Sequence, residues 1–93
     1  MNTSNHFEIR QEISRREAAV VAALLNDLRR TVQFLSVDIV TEEDRTAVRD
    51  MSDPRYSTLA RTLDARRRNL TATIASLERR LSAITADREA VAA

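Results

Sequence analysis

Three places in the chain hold side chains that could do chemistry. Arg66, Arg67 and Arg68 stand in a row, and guanidinium groups grip phosphate or carboxylate through paired hydrogen bonds. Glu42, Glu43 and Asp44 also stand in a row and offer the hard oxygen donors that Mg²⁺ or Ca²⁺ requires. His6 is the single histidine, the side chain suited to act as a base or to bind a transition metal near neutral pH.

None of the three is organised for that work. Successive residues of a helix point about 100° apart, so consecutive carboxylates do not converge on one cation without a ligand loop around them. They read as a solvated acidic face, or as the first turn of a helix capped by Thr41. His6 lies near a chain end, with no second histidine and no cysteine in the sequence, and reads as an exposed tail residue. There is no glycine-rich phosphate loop and no paired nucleophile and base. The expectation is a non-enzymatic protein with no catalytic residue, no cofactor and no metal site.

For the arginines the competing reading is nucleic acid. All 15 basic residues are arginine, but 14 acids hold the formal net charge at +1, too little to attract a polyanion or an acidic lipid surface from a distance. Arg66, Arg67, Arg68, Arg79 and Arg80 form no continuous stripe around a helix. No aromatic stands among them to stack on a base. Arginine-mediated nucleic-acid binding is therefore the weakest of the readings carried forward.

The elements that must carry these residues are helices. The chain has no glycine, one proline and three aromatics, and is dominated by alanine, leucine, arginine and glutamate, all strong helix formers. From Tyr56 onward, Tyr56, Ala60, Leu63, Arg67, Leu70, Ile74, Leu77, Leu81, Ile84, Arg88 and Val91 recur in steps of four and three, a heptad seam broken by two arginines. Asp53-Pro54 before it looks like a cap and a first helical residue, which predicts helix 2 over about 54–90. In the first half, Val21, Leu25, Leu28, Val32, Leu35 and Ile39 form a second seam, and helix 1 is predicted over about 6–50. A break near Thr41 is the alternative; with no glycine or proline there, continuity is expected.

Only DMSD, residues 50–53, is left to join the helices, and so short a connection makes them antiparallel neighbours. The fold class is all-α, one domain over 1–93, a long coiled-coil-like antiparallel hairpin. Folding the chain at that turn pairs positions whose numbers sum to about 105, so that Leu70 meets Leu35, Leu77 meets Leu28 and Ile84 meets Val21. The same register sets Arg67 beside Asp38 and a turn from Glu42, and Arg88 beside Glu17. Residues 37–53 carry a net charge of −4 and residues 55–80 a net charge of +5, and the hairpin lays the two stretches together. These charges are expected to set register more than to add stability.

Helix 1 has more apolar residues than one seam uses. Ile9, Ile13, Val20 and Leu24 lie beside it, and Phe34, Val37 and Val40 fall on a different side. A helix apolar over more than one face touches more than one neighbour. The expected partner is a second copy, giving a homodimeric four-helix bundle; the alternative is another helical protein. The longest apolar run, residues 18–25, is far too short to span a membrane, and a cytoplasmic location is expected.

In size, lack of cysteine and hairpin outline the chain resembles small bacterial secretion-associated hairpin proteins; its turn reads DMSDPRY where one group of those carries Trp-x-Gly. The leading functional expectation is a self-associating scaffold, adaptor or assembly component. A secretion or assembly chaperone that covers a partner's amphipathic helix is the alternative.

Overall fold

The computed structural model describes residues 3–92, with side chains from residue 5 to residue 90. Helix α1 covers Thr3–Thr46 and helix α2 covers Thr58–Ala92, and they pack against each other antiparallel. The Cα atoms fill a rod of 69 × 17 × 17 Å. The fold is the expected all-α helical hairpin.

α1 passes Thr41 without a break. The Thr41 hydroxyl donates to the Val37 carbonyl at 2.9 Å, so it is satisfied inside the helix and caps nothing. α1 then stops at Thr46, four residues before the expected end. Thr46 Oγ1 donates to the Glu42 carbonyl at 3.2 Å and accepts the Val48 N–H at 3.4 Å. Ala47 takes a left-handed conformation, φ 58°. A helix end of this kind usually places glycine here, because a Cβ crowds the neighbouring carbonyl. Ala47→Gly is therefore expected to raise stability by about 1 kcal/mol, read as an increased urea midpoint; an unchanged or lower midpoint would show that the site carries no strain.

The connection is longer than DMSD and spans residues 47–57. Asp50 accepts the Ser52 N–H at 2.9 Å on its side chain and the Asp53 N–H at 3.0 Å on its carbonyl. Asp53 repeats the device, taking the Arg55 N–H at 2.8 Å on its side chain and the Tyr56 N–H at 2.9 Å on its carbonyl. Pro54 thus occupies the second position of a turn, where its fixed φ is equally at home. This overturns helix 2 beginning at Pro54. The cap of α2 is Ser57, whose Oγ accepts the Ala60 N–H at 3.1 Å.

Both seams are where the heptad spacing put them. Val21, Leu25, Leu35 and Ile39 of α1 and Tyr56, Ala60, Ile74 and Ile84 on the other arm are buried. Leu28, Val32, Leu77 and Leu81 pack partly buried around them. Val91, the last seam position, lies outside the residues whose side chains are described. The register differs slightly from expectation. Arg80 bonds Glu17 on one edge of the seam and Arg29 lies 3.7 Å from Glu78 on the other, which brackets a pairing sum of about 102. In an antiparallel pair, the first seam position of one helix layers with the second of its partner, and matching like with like overshoots by about three residues.

Candidate interaction surface

The hairpin has a polar end and a bare side. At the turn, Glu42, Ser57 and Asp64 are the polar residues buried in the seam. The Ser57 hydroxyl donates to Glu42 Oε1 at 2.7 Å while its oxygen caps α2, so a single side chain ties α1 to the start of α2. Arg45 Nε donates to the same carboxylate at 3.0 Å. The bonds from Arg45 and Ser57 hold the Glu42 carboxyl down at about 2, against an ordinary 4.5. Tyr56 Oη donates to Glu43 at 2.8 Å, and the Arg61 guanidinium lies 5.3 Å over the Tyr56 ring. Burial, then the Glu43 bond, push the Tyr56 phenol up.

The charges expected to set register are in new company. Arg67 donates to Asp64 at 2.9 Å on its own helix and to the Ser36 hydroxyl at 3.1 Å on α1, not to Asp38 or Glu42. Asp38 is exposed and forms no ion pair among the described residues. Glu17 receives Arg80, not Arg88. Arg88 lines a shallow groove with Phe7, Gln11 and Glu12 near the open end, with its Nε buried and without a partner among the described residues. The register offset explains the exchange, since it moves each arginine about one turn along α1. Arg68 bonds Asp64 at 3.0 Å and Arg16 bonds Glu12 at 2.9 Å, the acid-first spacing that the sequence shows.

The arginine run therefore splits. Asp64 takes Arg67 and Arg68 together, while Arg66 is exposed. Arg66 and Arg79 form no ion pair among the described residues, so the arginines of α2 do not share one electrostatic role. The Ser57–Glu42 tie, Tyr56–Glu43 and Arg80–Glu17 were all missed in the sequence. Ser57 had a readable signal, a serine just ahead of the α2 seam; Asp53-Pro54 masked it.

The bare side belongs to α1. Ile9, Ile13, Val20, Leu24, Phe34, Val37 and Val40 are all exposed, Phe34 by 63% and Val20 by 66%. With the buried seam as heptad positions a and d, Ile13, Val20 and Phe34 fall at c, and Ile9 and Val37 at f. The c and f positions sit about 150° from the seam, on the back of the helix. The two groups that the sequence separated are thus one stripe, with Leu24 and Val40 on its margins. It runs from Ile9 to Val40, about 47 Å at 1.5 Å per residue. A shallow dish of about 420 Å³ lies within it, lined by Ile9, Ile13, Glu12 and Arg16 of α1 alone. α2 has no counterpart: Leu59 is its one large exposed apolar side chain among the described residues.

Fold and surface together define a helical hairpin with one uncovered apolar face. No helix is long and apolar enough to cross a membrane among the described residues. No protein-family model, curated protein or solved structure matches the chain.

Proposed function

We propose that this protein is a non-enzymatic interaction module that self-associates through the back of α1, serving as a scaffold, adaptor or assembly part. The observation that carries the reading is the stripe itself. Seven large apolar side chains along one helix stay in water after the hairpin has closed, and large exposed apolar surface of this kind marks protein–protein contact surfaces. Two hairpins meeting there bring four helices together. The interior of each hairpin is one seam thick, and covering its bare side adds the second layer that small helical domains need.

The test is the mass in solution. Sedimentation equilibrium should give twice the 10.5 kDa chain at micromolar concentration. The double variant Val20→Glu, Phe34→Glu should sediment as a monomer that keeps its helical circular dichroism. A wild-type chain that stays monomeric at about 0.1 mM, which puts any dimer dissociation constant well above that concentration, sinks the reading. In that case, ordering by an added amphipathic helix would point to the chaperone alternative.

A further inference from the structure

The back stripe of α1 carries charge as well as apolar groups, and the order of both is informative. Read in steps of three and four it runs Ile9, Ile13, Arg16, Val20, Ala23, Asp27, Arg30, Phe34, Val37, Thr41. Asp27 and Arg30 stand in the middle of the stripe, both largely exposed, 3.7 Å apart on their own helix. Two charges at the centre of an apolar face would oppose burial by an apolar partner, because they would lose water with only their own long 3.7 Å contact to compensate. A partner that presents the opposite charges in the same places removes that objection.

A second copy laid antiparallel does this. Resting on the self-association proposed above, we infer that two α1 helices pair back to back about a two-fold axis beside Leu28 and Arg29. Asp27 of each copy then faces Arg30 of the other. The register follows from the layering rule already seen within the hairpin, where the two seam positions alternate across the pair. With Asp27 opposite Arg30, Val20 falls opposite Val37, and the small Ala23 opposite the large Phe34, so charge, size and polarity match in consecutive layers. Arg16 meets Thr41 beyond them. Toward the rim, where water remains, Ile13 falls against Asp44 and Ile9 falls opposite position 48, past the end of α1, while the margin residues Leu24 and Val40 face Gln33 and Glu17. Sliding by one heptad sets Arg30 against Val20 and Arg16 against Phe34; sliding by two sets Arg30 against Ile13. A parallel pair places Asp27 on Asp27 and Arg30 on Arg30.

The same geometry decides the shape of the assembly. A closed square bundle needs each helix to show apolar groups toward two neighbours about a quarter turn apart. Here the second face of α1 is on its back, and α2 has almost none. The dimer is therefore a flat layer in the order α2, α1, α1, α2, with both α2 helices outermost and their polar sides in water. In isologous contact the two patches are identical, so the assembly closes at two chains.

Charge reversal tests the pairing with the full chain. Asp27→Arg and Arg30→Asp are expected each to weaken self-association at least tenfold in sedimentation equilibrium. Mixing the two variants should restore a one-to-one dimer, because arginines at 27 and 30 then face aspartates at 30 and 27. Both side chains are on the surface, and circular dichroism checks that each variant keeps its helix content. Small-angle scattering of the wild-type dimer should show the broad, thin cross-section of a four-helix layer. A wild-type monomer overturns the self-association reading and this pairing with it. A wild-type dimer whose single variants associate normally, or whose mixture does not re-form a dimer, leaves self-association standing and overturns this pairing. A square cross-section does the same.

Discussion

Replacing Leu25 with alanine is expected to cost the hairpin about 3 kcal/mol, while the same change at Leu24 costs less than about 0.5 kcal/mol. The two leucines are neighbours in sequence and differ only in the side they face. Leu25 is 1% exposed, at the centre of the cluster with Val21, Ile74 and Ile84. Truncation there removes packed methyl groups and leaves a hole between two long, straight helices that cannot collapse around it. Leu24 is 43% exposed, and its loss exposes nothing; alanine even has the better helix propensity. Urea unfolding followed at 222 nm, at concentrations low enough to keep the chains apart, reads both. Equal effects at the two positions would mean that the seam is misplaced. At higher concentration the order is expected to shift, since Leu24 borders the stripe proposed to join two copies.

That contrast also shows what was legible in the sequence. Burial follows a period, and a period survives small errors. Any window of residues 18–39 or 56–84 reports the same seam, so both helices and their inward faces could be read without knowing where the turn lay. The members of the stripe from Ile9 to Val40 were legible for the same reason, as apolar residues left over after the seam was assigned, but they were read as two groups on different sides and not as one stripe. The polar partners were not. A salt bridge depends on absolute register to within a single turn, and the seam repeats with nothing to mark one heptad from the next. An offset of about three residues left the seam leucines Leu25, Leu28, Leu77 and Leu81 packed in the apolar cluster yet gave Glu17 to Arg80 and left Arg88 without it. The turn was misplaced because Asp53-Pro54 has two uses. It can open a helix or a β-turn, and only the hydrogen bonds from Arg55 and Tyr56 back to Asp53 decide between them.

Ser57→Ala is the second large effect, and pH shows how it works. The loss of the α2 cap alone is expected to cost about 1–2 kcal/mol at pH 7. Ser57 also supplies one of the bonds that hold Glu42 ionised, so the variant changes how stability depends on acid. The folded-state pKa of Glu42 lies at about 2, below its ordinary 4.5, with the Arg45 bond as the larger cause and Ser57 next. A depressed carboxylate contributes stability that is fully present above about pH 4.5 and is lost as the pH falls toward 2. Asp53, held at about 2 by Arg55 against an ordinary 3.8, adds a loss over the lower part of the same window. Wild-type stability should therefore be level from pH 7 to 5.5 and fall steadily below about 4.5. Without Ser57, Glu42 keeps only Arg45, its pKa moves back toward the ordinary value, and less stability remains to be lost. The variant is expected to start lower and fall less, so that the two curves of urea midpoint against pH converge in acid. Parallel curves would show that the serine acts as a helix cap alone. Convergence would show that one hydroxyl both starts α2 and fastens it to a charged group on α1, which is how a chain without a single glycine fixes the closed end of its hairpin.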